Sequence, residues 1–148
     1  MAAEKIAIAS DHGGTNLKQA IIDELSSKGL DVLDLGCDGS ASVDYPDYGY
    51  KLAEAIKSGA VARGVVVCGS GIGISIAVNR FPEIRCALVH DRLGASLSRE
   101  HNNANVIAFG ERTTGVATAL DALDAFLNTE FEGGRHERRV EKLSNPPL

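Results

Sequence analysis

Short apolar runs alternate with stretches of helical spacing along the whole chain of 148 residues. The apolar runs predict five strands, at 6–9, 32–35, 64–67, 85–89 and 105–110. Elsewhere the apolar residues recur at intervals of three and four, which predicts helices at 17–28, 44–59, 72–80, 93–100, 114–128 and 136–143. Regular alternation of strands with helices is typical of a parallel sheet that is covered by helices on both faces.

We therefore predict an α/β fold over a single domain, residues 1–148, with a doubly wound, Rossmann-like sheet of five parallel strands in the order 2-1-3-4-5. In such sheets ligands bind at the carboxyl ends of the strands where the winding reverses, here between strands 1 and 3. The loops that follow these two strands read "SDHGG" and "CGSGIGIS". We expect these two loops to face each other.

The second of these loops begins at Cys68 and carries glycines on alternate positions, Gly69, Gly71 and Gly73. A dinucleotide-binding loop needs its third glycine where Ile74 stands, although Asp91 does follow after about 20 residues, as that fingerprint requires. A cysteine phosphatase would need an arginine at position 74, and a phospho-acceptor receiver domain an aspartate at position 68. The dinucleotide reading therefore stays only as the weaker alternative, and the other two fail.

Cys68 lies where a strand gives way to backbone amides and to the start of a helix. The partial positive charge of a helix start favours a thiolate, which could act as a base or a nucleophile. The amides of the loop and the hydroxyl of Ser70 could stabilise an oxyanion that forms beside the sulfur. The alternative is a buried cysteine at the end of a strand that has no chemical role.

Three further polar pairs follow predicted elements: Asp11 with His12, His101 with Asn102, and Arg135 with Arg139. Arg135 and Arg139 are four residues apart, so they share a helix face that suits a phosphate. Each pair also has a plainer interpretation. Asp11 can cap a helix, His101 suits a helix C-terminus, and the arginines can belong to a solvated helix with neighbouring glutamates.

Composition narrows the classes of function. A formal net charge of -5 argues against a nucleic-acid partner, and no stretch approaches the length of a membrane span. The amino terminus lacks the apolar core of a secretory signal, and the three sparse cysteines suggest reduced thiols in a cytoplasmic protein. No Cys/His cluster has zinc-site spacing, so we expect no metal. We expect Cys37 in an exposed loop and a structural Cys86.

Five stretches taken together resemble the B-type ribose-5-phosphate isomerases, in a family that also holds galactose-6-phosphate and allose-6-phosphate isomerases. The matching stretches are "IASDHGG", "DYPDY", "CGSGIGIS", "LSREHNNANVIAFGER" and "GGRHERRV". They extend from residue 6 to about residue 140. The resemblance implies aldose–ketose isomerisation of a pentose 5-phosphate through an enediolate, with neither metal nor cofactor.

The resemblance also implies a role for each site residue. Cys68 would be the base, and the loop amides and Ser70 would hold the developing charge. His101 would assist ring opening, with Asp11 at the ring oxygens or hydroxyls. The implied substrate-binding residues are Tyr45 and Asn102 at the sugar, and His12, Arg112, Arg135, His136 and Arg139 at the phosphate. The family works as dimers or larger assemblies with the site between subunits, which suits a C-terminal helix that reaches a partner.

Two alternatives remain open. The chain could isomerise a hexose 6-phosphate, because five- and six-carbon substrates use the same phosphate and enediolate machinery. Thr15 and Asn16 follow "DHGG" where relatives often carry a larger apolar residue first, which leaves the preferred sugar length open. The other alternative is a non-catalytic module that binds a nucleotide or a sugar phosphate.

Overall fold

The computed structural model describes residues 3–147. Its five strands are β1 (Lys5–Ser10), β2 (Asp31–Asp34), β3 (Arg63–Cys68), β4 (Cys86–Leu88) and β5 (Val106–Gly110). Its six α-helices are α1 (Thr15–Ser27), α2 (Tyr45–Lys57), α3 (Ile72–Val78), α4 (Arg92–Glu100), α5 (Val116–Asn128) and α6 (Arg135–Ser144). A single 3₁₀ turn, His12–Gly14, precedes α1. The predicted alternation of strands and helices is confirmed.

All the strand pairs are parallel, and the order of the sheet is β2-β1-β3-β5-β4. The predicted order is therefore correct for the first three positions and wrong for the last two. Burial explains the exchange. Residues 106–109 of β5 are fully buried, as a central strand must be, whereas the three residues of β4 are only partly buried, as suits the edge.

Alternate residues of the central strands face two separate cores, as expected for a sheet covered on both sides. One core packs α1, α4 and α5 against Ile6, Ile8, Val65, Val67, Ile107 and Phe109. The other packs α2 and α3 against Ala7, Ala9, Val66, Cys68, Val106 and Ala108. Cys68 is thus on the face of the sheet that α3 covers, and the loop between β3 and α3 folds over it.

Several local expectations can be compared with the structure. Asp11 does cap a helical turn, since its carboxylate accepts a hydrogen bond from the amide of Gly13 at 2.9 Å. Asp44 occupies the cap position of α2 but its side chain makes no capping hydrogen bond. Among the described residues, no helix has both the length and the hydropathy that crossing a bilayer demands.

The expectation of an exposed Cys37 is wrong, because only 5% of this residue is accessible. The loop after β2 folds back along β1, where the Cys37 amide donates to the carbonyl of Ser10 at 2.8 Å. The buried Lys18 donates to the Cys37 carbonyl at 2.8 Å and pairs with Asp34 at the same distance. Cys86 packs against the second core, as expected, and burial raises the pKa of its thiol.

Candidate active site

The loops after β1 and β3 meet at the carboxyl edge of the sheet, as predicted from the winding. The amide of Asp11 donates to the carbonyl of Val67 at 3.3 Å. Contact is this close because glycines occupy the first loop. A Cβ at Gly14 would lie 2.7 Å from Val67 Cγ1, and one at Gly13 would lie 3.4 Å from the Gly69 nitrogen. The sequence "DHGG" therefore allows one loop to rest directly on the other.

A cleft of about 770 Å³ opens beside this contact. We call it the cysteine cleft. Its lining residues are Asp11, Tyr45, Cys68, Gly69, Ser70, Ile72, Gly73, Ile76, Arg112 and Thr113. Seven of the residues predicted for the site are in this set, and they come from three different loops and the first turn of α2. Ile72, Ile76 and Thr113 were not singled out in the sequence.

Cys68 is the last residue of β3 and is 4% exposed. The amide of Gly71 donates a hydrogen bond to its Sγ at 3.2 Å. Gly71 can curl back onto the sulfur because its φ is 75°, in the left-handed region that glycine tolerates. This amide is therefore directed at the sulfur. Its role in holding a substrate oxyanion stays a prediction.

Ser70 and Gly73 shape the rest of the glycine loop. The hydroxyl oxygen of Ser70 accepts from the amide of Ile72 at 3.2 Å, which leaves the hydroxyl proton for another acceptor. A Cβ at Gly73 would lie 2.5 Å from Cε1 of Tyr45. The tyrosine ring thus lies directly on the glycine backbone and forms one wall of the cleft.

Asp11 and His12 follow β1 but face different surroundings. Asp11 is 8% exposed and lines the cysteine cleft. His12 is exposed, and its Nδ1 accepts a hydrogen bond from the amide of Val43 at 3.1 Å. An accepting Nδ1 places the proton of the neutral ring on Nε2, so His12 can donate from that side.

Arg112 reaches the cleft because β5, and not β4, lies beside β3. The loop after β5 docks on the glycine loop through two backbone hydrogen bonds, from Glu111 to Cys68 at 3.0 Å and from Arg112 to Gly69 at 2.9 Å. The side chain of Arg112 then crosses Gly69, where a Cβ would lie 3.3 Å from its Cδ. The correct strand order therefore explains why Arg112 and Thr113 are at this site.

The remaining predicted residues gather in a second region, where α4 ends and α6 begins. The rings of His101 and His136 stack with their centroids 4.3 Å apart and their planes at 17°. Glu132 lies beside both rings, with its Oε1 at 3.9 Å from His101 Nε2 and at 3.6 Å from His136 Nε2. We call these three residues the histidine cluster. Asn102, Arg135 and Arg139 are exposed near them in the sequence.

The structure of one chain thus divides the predicted site. None of His101, Asn102, Arg135, His136 and Arg139 is among the described residues that line the cysteine cleft. His136 is 6% exposed, and burial together with the charges of His101 and Arg135 lowers its pKa. The histidine cluster is therefore a partly buried contact between the start of α6 and the end of α4.

Comparison with known proteins identifies the family. Residues 6–143 match the family model described as Ribose/Galactose Isomerase. The chain belongs to the ribose/galactose isomerase family. The matched range contains both the cysteine cleft and the histidine cluster, so the two regions are parts of the same family domain. The resemblance inferred from the five sequence stretches is confirmed.

Individual members of the ribose/galactose isomerase family are similar over nearly their whole length. Ribose-5-phosphate isomerase B of Escherichia coli is 43% identical over 95% of each chain. The structure of ribose-5-phosphate isomerase B from Clostridium thermocellum superposes with a TM-score of 0.93 at 54% identity, over 95% of each chain. That of Mycoplasma genitalium, with bound ribulose-5-phosphate, has a TM-score of 0.92 at 37% identity, over 97% of this chain and 96% of the other.

Proposed function

We propose that this protein interconverts ribose 5-phosphate and ribulose 5-phosphate and that Cys68 is the base. The observation that carries the assignment of the base is the position of its sulfur. Sγ lies at the end of a central strand, beside the cleft, with the Gly71 amide donating to it at 3.2 Å. A donor directed at sulfur stabilises negative charge there. The similarity to ribose-5-phosphate isomerases B supports the substrate.

The reaction needs a base and an oxyanion site. It needs no oxidant or reductant, because the sugar phosphate as a whole is neither oxidised nor reduced. His101 assists opening of the sugar ring. The Cys68 thiolate then removes the proton from C2 of the open aldose, and the electron pair moves to form the enediolate. The thiol returns this proton to C1 while a proton moves from O2 to O1, which gives the ketose. No cofactor takes part in this sequence.

The cleft residues divide the remaining tasks. The free hydroxyl proton of Ser70 and the amides of Gly69 and Gly73 stabilise the negative oxygen of the enediolate. Asp11 binds the sugar hydroxyls from its buried position, and Tyr45 holds the carbon chain against the glycine loop. Arg112, which lines the cleft, and His12, which is exposed beside Asp11 in the chain, bind the phosphate. Binding energy at the phosphate then orients the reacting carbons.

The complete site is formed by two copies of the chain. His101 and the basic residues of α6 lie outside the cleft of their own chain, so we place them at the cleft of a partner in a cytoplasmic homodimer. Ile72 and Ile76, which are 52% and 58% exposed, support this arrangement because they line the cleft from one face of α3. A two-fold axis would repeat both contacts and complete two equivalent sites.

The test is an assay of ribose 5-phosphate and ribulose 5-phosphate interconversion with the wild type, Cys68→Ala and Cys86→Ala. We expect Cys68→Ala to lower kcat by about 10²–10⁴-fold while substrate binding is retained, since a positioned base contributes that much. Cys86→Ala is the matched control, because this partly buried thiol lies in β4 and outside the cleft. It should leave kcat close to that of the wild type.

Each result has one meaning. Activity that survives in Cys68→Ala would keep the isomerase and remove Cys68 as its base. A wild type without activity on pentose phosphates but with turnover of allose 6-phosphate or galactose 6-phosphate would replace the proposed substrate with a hexose phosphate. Binding of sugar phosphates without any turnover would leave a non-catalytic binding module.

A further inference from the structure

Helix α1 begins at a glycine, which cannot cap it. The N-cap residue is Gly14, and it has no side chain to accept a hydrogen bond from the first turn. A larger residue does not fit at this position, because a Cβ on Gly14 would lie 2.7 Å from Val67 Cγ1. The close packing of this loop on β3 thus removes the side chain that usually satisfies the first amides of a helix.

Glu111, which lies in the loop after β5, provides the missing acceptor. Its Oε1 accepts a hydrogen bond from the amide of Leu17 at 2.8 Å. Leu17 is the third residue of α1, and the amide at that position is one that an N-cap side chain commonly binds. The partial positive charge of the helix start favours a carboxylate here. A residue 94 positions away in the sequence therefore caps α1.

The backbone of Glu111 is anchored on the glycine loop at the same time. Its amide donates to the carbonyl of Cys68 at 3.0 Å. The preceding residue, Gly110, packs so closely on the backbone of Ser70 that a Cβ would overlap it. The main chain around Glu111 is thus fixed beside Cys68, while the carboxylate holds the start of α1.

We propose that Glu111 is a positioning residue, which holds Asp11 and His12 in register with Cys68. Asp11 and His12 lead into α1 through the 3₁₀ turn, so a shift of the helix start moves both side chains. This role rests on the proposed function, in which these two residues bind the hydroxyls and the phosphate of the substrate. Glu111 is not among the described residues that line the cysteine cleft, so it acts through its neighbours.

The first experiment compares KM and kcat for ribose 5-phosphate in the wild type, Glu111→Ala and Glu111→Gln. Glu111→Ala should raise KM by roughly tenfold or more, because displaced Asp11 and His12 lose polar contacts with the substrate. Its kcat should stay within about threefold, since the main-chain bond to Cys68 is retained. Glu111→Gln keeps an acceptor for the Leu17 amide, so its KM should be within about twofold of the wild type.

This pattern separates positioning from two other effects. Loss of a negative charge near the phosphate would strengthen binding of the anionic substrate, so it would lower KM in both variants. Unfolding would raise KM tenfold only if about nine-tenths of the chain were unfolded without substrate. Urea denaturation of Glu111→Ala shows whether the chain remains folded under the assay conditions.

Glu4→Ala is the matched control, because the carboxylate of Glu4 also joins distant segments. It accepts from Arg63 Nε at 2.8 Å, but this pair lies at the amino ends of β1 and β3, opposite the cleft. Its removal should leave both KM and kcat unchanged. A wild-type KM in Glu111→Ala, or an equal rise in Glu111→Gln or in Glu4→Ala, would overturn the role of Glu111.

The second experiment does not depend on catalysis. Amide hydrogen exchange, followed by NMR, reports on Gly13 and Gly14, whose amides donate to Asp11 within the turn. We expect exchange at both amides to be at least about tenfold faster in Glu111→Ala than in the wild type, and unchanged in Glu4→Ala. Unchanged exchange in Glu111→Ala would overturn its role. Faster exchange, together with a wild type that isomerises no sugar phosphate, would contradict the proposed function and leave the hold of Glu111 on the turn standing.

Discussion

The cysteine cleft and the histidine cluster are built by opposite means. Main-chain hydrogen bonds and four closely packed glycines, Gly13, Gly14, Gly71 and Gly73, hold the cleft, so its geometry is fixed by the backbone. The histidine cluster depends on side chains. Among the residues described in α6, only His136 is buried, and its ring stacks on His101.

The two regions also differ in the chemistry they carry. The cleft holds a thiol, a hydroxyl and loop amides, which suit proton transfer, but among residues 3–147 its lining includes only one cation, Arg112. The start of α6 holds Arg135 and Arg139, which suit a phosphate, but neither lines the cleft. The cleft thus provides groups for proton transfer, and the start of α6 provides positive charge for a phosphate. This comparison is the basis for proposing that they meet across two copies of the chain.

The largest expected effect tests whether the regions form one site. Cys68→Ala and His101→Asn should each be nearly inactive, with losses of about 10²–10⁴-fold for the base variant. Co-expression of the two should restore activity to about a quarter of the wild type, because half of the dimers are mixed and each mixed dimer has one intact site. The measurement is the specific activity of the unfractionated co-expressed protein, and the isolated mixed dimer should have about half of the wild-type activity.

A second co-expression pair is the control, because it shows whether activity returns when no mixed dimer contains an intact site. Cys68→Ala co-expressed with Ser70→Ala places both changes in the same cleft, so mixed dimers contain no intact site and should stay inactive. Recovery in that pair, or none in the first pair, would show that the cleft and the histidine cluster do not combine across subunits.

The next largest effect concerns the backbone of the cleft. Gly71→Ala would force a side chain into φ 75° and place a Cβ 2.6 Å from Leu88 and 2.8 Å from the carbonyl carbon of Phe109. We expect the free energy of unfolding to fall by about 2–5 kcal/mol, from left-handed strain and overpacking together. Urea denaturation of the wild type and of Gly71→Ala measures this difference in the free energy of unfolding.

Gly59→Ala is the control for that substitution. Gly59 has a similar φ of 82°, but a Cβ there has nothing within 4 Å. The loss should be about 1 kcal/mol, from strain alone. If both variants lose the same amount, the packing around Gly71 contributes nothing measurable and the cleft is not as rigid as described.

A smaller effect is expected at the tyrosine wall. Gly73→Ala would displace the Tyr45 ring, whose Cζ would lie 2.6 Å from the new Cβ. We expect KM for the sugar phosphate to rise by roughly tenfold, which corresponds to one lost contact of about 1.4 kcal/mol. Gly115→Ala, where a Cβ meets open space, should leave KM unchanged. An unchanged KM in Gly73→Ala would remove Tyr45 from the sugar site.

The smallest effect concerns the pH dependence of the histidine cluster. Burial and the charges of His101 and Arg135 lower the pKa of His136 below 6.5, so the unfolded chain binds the proton more readily than the folded one. His136 therefore contributes stability that is fully present above pH 6.5 and is lost as the pH falls through its folded pKa. The free energy of unfolding, measured at several pH values, should fall less steeply toward acid in His136→Gln.

His90→Gln should keep the wild-type slope, because His90 is exposed and outside the cluster. A wild type and a His136→Gln chain with identical slopes would mean that the cluster does not distinguish the two protonation states. The comparison uses slopes, so the loss of the stacked ring itself does not affect it.

Much of this molecule could be predicted from the sequence because the physics involved is local. Apolar runs of strand length, helical spacing and glycines after a strand predict where β1 and β3 end, and hence that Asp11 and Cys68 lie close together. The order of the last two strands could not be deduced in the same way, since both "RCALV" and "NVIAFG" read as buried strands. Which of the two strands pairs with β3 depends on how they pack in the folded sheet, and the sequence pattern does not show this.

The contacts of Gly71 and of the histidine cluster could not be predicted for a similar reason. The direction of one amide depends on the φ of one glycine, and the sequence permits several values. His101 and His136 are 35 positions apart in the sequence. No short sequence motif therefore predicts that their side chains lie together. The two imidazole rings come together only when the end of α4 packs against the start of α6.

The insertion of β5 between β3 and β4 also determines how the chain must assemble during synthesis. Within the described part of the chain, β4 is hydrogen-bonded only to β5 in the sheet, and β5 provides the second neighbour of β3. As the polypeptide leaves the ribosome, β3 is therefore an unprotected edge until residues 106–110 have emerged. Translation that stalls between residues 69 and 105 leaves a nascent chain with one edge of β3 open to intermolecular pairing.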